Sequence, residues 1–493
     1  MITKKLTELL QDFPHHLTGN SDMNIDGIAY HSDRVKSNHL FIALDGFTTS
    51  GKKFMDAAIK RGAIAVASDS VTLLKKIKHK YNNKITTIHI PSPRKFLASV
   101  ANRFYDFPAS KLTLIGITGT DGKTTTSYMI KSIIEAAHKK TGLLGTIKYY
   151  DGQSYLPAPN TTPESLDFIA FLHNLVKHKI KHCISEVSSH ALALDRVYGI
   201  DFRIAVFTNL SKDHLDFHKN TKNYRSAKLK LFQNLSSSAV AILNNDDPFT
   251  AQIIKHTNAR CVLYSIKNPS EVTTHIDYYT KDGIKTKIYD KSCKQPLEIR
   301  LAIIGYHNIY NMLAAITTAS VLKINRAQIK KGLERMSGVP GRLQRIKTKK
   351  GFDIYIDYAH TEKALSNAIN SLKQITPGRV IVVFGCGGNR DCLKRPRMGK
   401  CATTLGDYVI ITSDNPRNEN PIAIINDIQK GLKKNNYEVI VDRKTAIRKA
   451  IMIARPDDSV LIAGKGHEDY QIIGNKKIYF SDYACAYNAV MLR

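Results

Sequence analysis

The sequence predicts an α/β protein of three domains: a central parallel-sheet domain built around a phosphate loop, a smaller N-terminal α/β domain, and a C-terminal doubly wound, Rossmann-like domain. Three observations lead there. The 493 residues exceed what one hydrophobic core organises, since domains usually run to about 100–200 residues. Short apolar runs alternate with helically spaced segments along most of the chain, the pattern of strands covered by helices. A Gly/Thr-rich loop lies between one such run and one such helix. The boundaries are expected after residues 109 and 338, giving segments 1–109, 110–338 and 339–493.

In the first segment, Leu6, Leu9, Leu10 and Phe13 are spaced like one face of a helix over residues 1–13. The runs Leu40 to Leu44 and Ala63 to Ala67 read as strands, and Phe54 to Lys60 as a helix between them. A helical stretch between Pro91 and Pro108 ends in a proline-containing linker. The second segment opens with a buried-type strand, Lys111 to Ile117, and a helix from about Lys123. Further strands are expected at Cys183 to Val187, Ile204 to Thr208 and Val240 to Leu243, then a polar, strand-rich stretch from Val272 to Leu301 and a helix from Asn308 to Leu322. After Gly338, Pro340 and Gly341, the strands Asp353 to Asp357, Val380 to Phe384, Tyr408 to Thr412 and Ser459 to Ala463 alternate with helices, which makes the third domain.

Bulk composition narrows the class. No apolar run reaches the roughly 18 residues that a membrane helix needs, and the N-terminus lacks the continuous apolar stretch of a signal peptide. A soluble cytoplasmic protein without membrane insertion is expected. The seven cysteines are scattered, with neither a CxxC pair nor a zinc spacing, and read as reduced structural thiols. The formal charge of +31 suits a nucleic-acid binder or a handler of polyanionic small molecules. Only Lys75, Lys76, Lys78 and Lys80 form a dense cluster, without the interleaved aromatics of a single-strand binder. A solvated lysine-rich surface, small-molecule substrates and no nucleic-acid partner follow, and a monomer is expected.

The chemistry concentrates in motifs. Gly116-Ile-Thr-Gly119-Thr120-Asp121-Gly122-Lys123-Thr124-Thr125 lies between strand and helix. Its glycines let backbone N–H groups face phosphate oxygens, the helix N-terminus adds a positive dipole end, Lys123 neutralises β/γ charge, and Thr124 can ligate magnesium. Five residues separate the outer glycines, Gly116 and Gly122, where the common phosphate loop has four. Two segments follow at strand ends, one beginning at Glu186 with Ser188 and His190, the other running from Thr208 through Asp213, His214 and Asp216. Glu186 offers magnesium a hard oxygen and His214 a softer nitrogen. Lys228, between apolar positions of an expected helix in Ala227-Lys228-Leu-Lys-Leu231-Phe232, reads by itself as a snorkelling surface lysine.

This spacing and order resemble the Mur ligase and folylpolyglutamate synthase superfamily, and the resemblance covers essentially the whole chain. It implies ATP-dependent amide-bond formation in peptidoglycan precursor synthesis through an acyl phosphate, with ATP and Mg2+. Gly119, Thr120, Asp121, Gly122, Lys123, Thr124 and Thr125, the helix positions Asn308 and Asn311, and Arg342 and Asp357 would hold ATP. Thr124, Glu186, His214 and Lys228 would hold metal, with Lys228 carbamylated, and Lys123, Lys228, His214 and Glu186 would be catalytic.

Within the family, the loops resemble those of members that add meso-2,6-diaminopimelate to UDP-N-acetylmuramoyl-L-alanyl-D-glutamate. Tyr30, Ser32, Phe47, Thr48, Thr49, Asn160, Thr161, Thr162, Ser188 and Arg196 would then contact the UDP-muramoyl dipeptide in an N-terminal UDP-binding domain and its neighbour. Arg390, Asp414, Asn415, Pro416, Arg417, Gly464 and Glu468 would line the diaminopimelate pocket. Departures from the family pattern are His31-Ser32-Asp33 for the usual Asp-Ser-Arg, Leu194 for Gln and Asn389 for Asp. The alternatives are the same ligation with L-lysine, a folylpolyglutamate synthase-like ligase, and a basic nucleic-acid-stimulated NTPase.

Overall fold

A computed structural model describes residues 2–46 and 49–493. The chain divides into two compact units, one of Met1–Gly116, Lys140–Ile204 and Asn234–Ala239, the other of Ile117–Lys139, Ala205–Gln233 and Val240–Arg493. The strand Thr113–Thr118 starts in the first and ends in the second.

In the first unit a sheet runs in the order His16–Thr18, Thr86–His89, Ala63–Ser68, His39–Ile42, Gly27–Ala29. The last four strands are parallel and His16–Thr18 closes one edge antiparallel. Leu40, Phe41, Ile42, Ala65, Val66 and Ala67 are fully buried, as continuous apolar runs require when a parallel sheet is covered on both faces. Helix Pro93–Phe104 starts with proline, whose fixed φ suits the first turn. It buries Phe96, Leu97, Val100, Ala101 and Phe104 and packs on helix Ser165–Lys177. The strands Thr141–Leu144 and His182–Glu186 pair in parallel in the same unit.

The N-terminal helix is shorter than its apolar spacing suggests, covering only Leu6–Leu9. Lys4 and Lys5 pair with Ile25 and Asn24 as a strand, and Pro14 disfavours helical geometry at Phe13. Leu6, Leu9 and Leu10 are nevertheless buried.

In the second unit, Val240–Asn244 runs parallel to Arg260–Tyr264, and Val272–Thr280, Gly283–Asp290 and Leu297–Leu301 add an antiparallel meander. Helices Tyr306–Val321 and Arg326–Glu334 pack on Lys123–Ala136, the helix that leaves the phosphate loop. A second sheet follows the order Gln344–Lys347, Asp353–Asp357, Ser459–Ala463, Val380–Phe384, Tyr408–Ile411, Tyr437–Val439. All but Gln344–Lys347 are parallel. Its two faces carry separate cores: Val380, Val382 and Phe384 join one, Ile381 and Val383 the other, the period-two alternation of a strand. Asp357, Asp414 and Gly464 therefore sit at carboxyl ends of parallel strands, where open α/β sheets bind ligands.

All seven cysteines are free thiols, and burial pushes Cys386 up to about 12. Among the described residues no helix is long and apolar enough to cross a membrane. Phe384 is fully buried at the centre of the second sheet. Phe384→Ala is expected to lower unfolding stability by about 3–5 kcal/mol. Urea denaturation measures it, and a loss below about 1 kcal/mol would contradict this packing.

Candidate functional site

The phosphate loop of the second unit is shaped by two glycines in the left-handed region, Gly119 at φ 148° and Gly122 at φ 86°. A Cβ on Gly119 would collide with the Thr208 hydroxyl, and one on Gly122 with the Asn311 amide oxygen. Thr208 Oγ1 and Asn209 Nδ2 donate to the Asp121 carbonyl at 2.6 and 3.1 Å, and Asn209 Oδ1 accepts from the Asp121 N–H at 3.1 Å. The Thr208-Asn209 strand end thus braces the loop. Lys123 Nζ folds back onto the carbonyls of Gly119 at 3.0 Å and Thr120 at 2.8 Å.

Lys228 is not a surface lysine. It is 1% exposed, lies 4.7 Å from the Tyr224 ring centroid, and donates to the same Gly119 carbonyl at 2.7 Å. Burial, then the Lys123 charge, hold its amine well below the ordinary lysine range, against the opposing pull of Asp213 and Asp121. Tyr224 hydrogen-bonds Thr120 Oγ1 at 2.9 Å and so fixes the helix against the loop. Burial alone would raise Asp213, but His214, His360, the His214 N–H and Lys394 hold it below the usual carboxylate range. His214 lies 3.4 Å from that carboxylate.

Asn311 bridges helix and loop: it donates to Asn308 Oδ1 at 2.8 Å and accepts from Thr126 Oγ1 at 3.3 Å, while Asn308 is tied to the Ile304 carbonyl at 2.6 Å. Arg342 donates to Thr124 Oγ1 at 3.3 Å and stacks 4.5 Å from the Tyr358 centroid. Asp357 accepts the N–H groups of Leu343 at 2.7 Å and Ala359 at 2.8 Å. Beside this set, burial lowers His307 to about 4, so a neutral imidazole occupies the helix start. Thr125 is buried on helix Lys123–Ala136.

At the strand ends of the second sheet, Asn415 Nδ2 donates to Glu468 Oε2 at 2.9 Å, and the fully buried Lys465 donates to Asn415 Oδ1 and to Glu468 Oε2, both at 3.2 Å. Gly464, at φ 116°, leaves no room for a Cβ, which would stand 2.6 Å from Asp414 Oδ2. Arg417 donates to the carbonyls of Gly388 at 2.8 Å and Asn415 at 3.5 Å. Burial and the neighbouring Arg390 hold its guanidinium below its usual range, with Asp414 and Glu468 opposing. Among the described residues no carboxylate forms an ion pair with Arg417. Pro416 is buried between these groups in sequence, and Arg390 is exposed.

In the first unit, the loop Asn160 to Glu164 is held by its own hydrogen bonds. Thr162 Oγ1 donates to the Glu186 carbonyl at 2.8 Å and accepts the Ser188 N–H at 3.1 Å. Thr146 donates to both Glu186 carboxylate oxygens at 2.9 Å, and its hydroxyl lies 3.1 Å from that of Thr161. Arg196 donates to the Thr162 carbonyl at 3.0 Å and lies 3.4 Å from Glu164, which also accepts Arg94 at 2.6 Å. The Asn160 carbonyl accepts Tyr149 at 2.5 Å. Tyr30 hydrogen-bonds Asp167, which also accepts Arg34 at 2.9 Å, and Ser32 is buried nearby in sequence. Thr49 is described at a bend, while Phe47 and Thr48 lie outside the described residues.

Sequence reasoning passed over Asp213, Lys465 and Glu164 as site groups. Asp213 lies in the Thr208 to Asp216 segment and Lys465 directly follows Gly464, but their burial beside other charges is tertiary information. Among the described residues no three His, Cys, Asp or Glu side chains cluster as a ready metal site. A magnesium ion there would need hydroxyl, substrate phosphate or modified-lysine oxygens, and the buried low-pKa amine of Lys228 fits such a modification.

Comparison with known proteins covers the same ground. The Mur ligase family catalytic domain matches residues 24–105, the Mur ligase middle domain 117–319, and the Mur ligase glutamate ligase domain 341–466. The UDP-N-acetylmuramoyl-L-alanyl-D-glutamate--2,6-diaminopimelate ligase of Caldanaerobacter subterraneus subsp. tengcongensis is 43% identical over 480 residues, 97% of each chain. That of Clostridium tetani is 42% identical over 481 residues, also 97% of each. A solved structure of an enzyme of the same name aligns at a TM-score of 0.68 with 29% identity, covering 100% of this chain and 99% of that one.

Asp357 provides a pH test. Burial raises its carboxyl to about 6, against Arg342 and the two N–H donors. The folded protein therefore binds this proton more tightly than the unfolded chain, whose carboxyl titrates near about 3.9. The resulting stabilisation is fully present below about pH 4 and lost as pH rises through about 6. Asp357→Asn cannot titrate, so wild-type stability relative to the variant should fall by on the order of 2 kcal/mol between about pH 4 and 7. Urea titrations across that range read the difference, and a pH-independent gap would contradict the raised carboxyl.

Proposed function

The chain belongs to the Mur ligase family, and we propose that it joins meso-2,6-diaminopimelate to UDP-N-acetylmuramoyl-L-alanyl-D-glutamate with conversion of ATP to ADP and phosphate. We place its domain boundaries near residues 109 and 338, and its work in the cytoplasm as a monomer.

Forming an amide in water requires an activated carboxylate. The glutamyl carboxylate attacks the γ-phosphorus, ADP leaves, and an acyl phosphate results; the incoming amine then attacks the acyl carbon, loses a proton, and phosphate departs. The protein's part is electrostatic and positional. Loop N–H groups and Lys123 bind the phosphates, which draws Lys123 off the Gly119 and Thr120 carbonyls. Arg342 holds the Thr124 hydroxyl, and Asn308 and Asn311 support the loop from the adjoining helix. Asp357 orders the turn after Arg342.

Lys228 is assigned as N6-carboxylysine. A deprotonated amine attacks carbon dioxide, releases a proton and becomes an anionic carbamate. Lys123 would attract that carbamate where it repels an ammonium. Magnesium, when bound, supplies Lewis-acid neutralisation of the phosphates, and Thr124, His214 and the Lys228 carbamate are the donors assigned in the second unit. The assignment of Glu186 as a donor rests on its sequence motif.

The observation that carries the amino-acid reading is Arg417. Diaminopimelate bears a carboxylate at the end where lysine has only an ammonium, and a half-buried guanidinium bonded only to carbonyls suits a bidentate carboxylate. Arg390 adds positive charge, while Asp414, Asn415 and Glu468 suit the ammonium groups. The N-terminal residues Tyr30, Ser32 and Thr49, with Thr161, Thr162, Ser188 and Arg196, are assigned to the UDP-muramoyl dipeptide.

Purified enzyme given ATP, the UDP-muramoyl dipeptide and either amino acid should form tripeptide with diaminopimelate on the order of a thousandfold more efficiently than with lysine. Arg417→Ala should remove most of that preference; equal use of both amino acids by the wild type would refute the assignment. Lys228→Ala should reduce ligation by at least about a hundredfold, with partial recovery on adding a short carboxylate such as acetate. Full activity of the alanine variant without acetate would sink the carbamate.

A further inference from the structure

We infer that Arg443 and Asp482, remote in sequence from every motif above, position the two loops of the amino-acid pocket; this rests on the reading of that pocket given under the proposed function. Both side chains are fully buried. The pair is bidentate, Nε to Oδ1 at 2.8 Å and a terminal nitrogen to Oδ2 at 2.7 Å. The remaining donors do not turn to water. One terminal nitrogen reaches the Ala463 carbonyl at 2.9 Å and the other the Ser413 carbonyl at 3.3 Å.

Those two carbonyls stand at informative places. Ser413 immediately precedes Asp414 and Asn415, and Ala463 immediately precedes Gly464 and Lys465. The strands that deliver them, Tyr408–Ile411 and Ser459–Ala463, are not neighbours, because Val380–Phe384 lies between them. No ladder hydrogen bond between these two strands therefore sets the distance between their loops. The rigid guanidinium fork joins the two instead, one residue before Asp414 and one before Gly464, in the loops whose Asn415, Lys465 and Glu468 bond one another.

Asp482 completes the device. A buried arginine without an anion would be strongly disfavoured, and the first residue of helix Asp482–Met491 supplies one. Arg443 itself begins helix Arg443–Ile453, whose cap Asp442 accepts the Thr445 N–H at 2.8 Å. Two helix starts thus meet under the loops. The carboxylates of Asp414 and Glu468 also act on the guanidinium electrostatically and favour its charged form. Arg443 touches no substrate in this arrangement and is a positioning residue.

Two variants test this. Arg443→Lys keeps the charge but loses the fork. Arg443→Met with Asp482→Leu replaces the buried pair by apolar groups, an exchange that commonly preserves folding. In both, KM for diaminopimelate should rise on the order of ten- to a hundredfold, with KM for ATP, acyl-phosphate formation without amino acid, and Tm near wild type. A double variant with wild-type Tm and wild-type KM for diaminopimelate would overturn the inference. If the double variant does not fold, Arg443→Lys decides, an unchanged KM counting against the pair. Failure of the underlying reading shows separately, as a wild-type enzyme that ligates no diamino acid.

Discussion

One carbonyl oxygen carries two lysines. Lys123 and Lys228 both donate to Gly119, at 3.0 and 2.7 Å, so their nitrogens lie within about 6 Å of each other. Two full charges so placed repel by about 3 kcal/mol at an effective dielectric near about 20, and burial of Lys228 adds to its disadvantage. Of the two amines the buried one holds its proton less tightly, well below the ordinary lysine range. Much of the second unit follows from keeping this pair together: Tyr224 locks the Lys228 helix to Thr120, Thr208 and Asn209 brace Asp121, and Asn311 leaves no room beside Gly122.

The same economy of placement recurs in the second sheet. Parallel strands, apolar on both faces, end together, and the polar groups that a core excludes are gathered at those ends. Asp357, Asp414, Asn415, Lys465 and Glu468 are satisfied by one another or by backbone N–H groups. Arg417 is the exception, bonded to carbonyls alone. An unmatched cation on a rigid frame is how a pocket discriminates a carboxylate from an ammonium. In the first unit the corresponding order is local: Thr162 and Thr146 hold Glu186 and Ser188 while Arg196 holds the Thr162 carbonyl.

The fold was legible where apolar runs were long. Asp353–Asp357, Val380–Phe384 and Ser459–Ala463 stand at the residues that periodicity marks, because fully buried parallel strands leave an unbroken signal. Tyr437–Val439 did not stand out, since its centre is Glu438 at a sheet edge, and the hairpin Tyr470–Ile473 with Lys476–Tyr479 is mostly exposed. The phosphate loop was equally plain, as glycine spacing is a backbone requirement written in single residues. Lys228 was ambiguous from its own neighbours, because a helix does not say which of its faces meets a loop 109 positions away. Lys465 and Arg443 were invisible as site groups for the same reason: their roles are defined by partners brought in from other strands.

The lowered proton affinity of Lys228, and the carbamate proposed on it, is the claim on which the rest leans, and it is open to direct observation. Enzyme equilibrated with 13C-bicarbonate and examined by 13C NMR should show one carbamate resonance that Lys228→Ala lacks and Lys123→Ala retains in weaker form, since Lys123 stabilises the anion without bearing it. A wild-type spectrum without that resonance, or one unchanged in Lys228→Ala, would contradict the account of how two amines share one carbonyl.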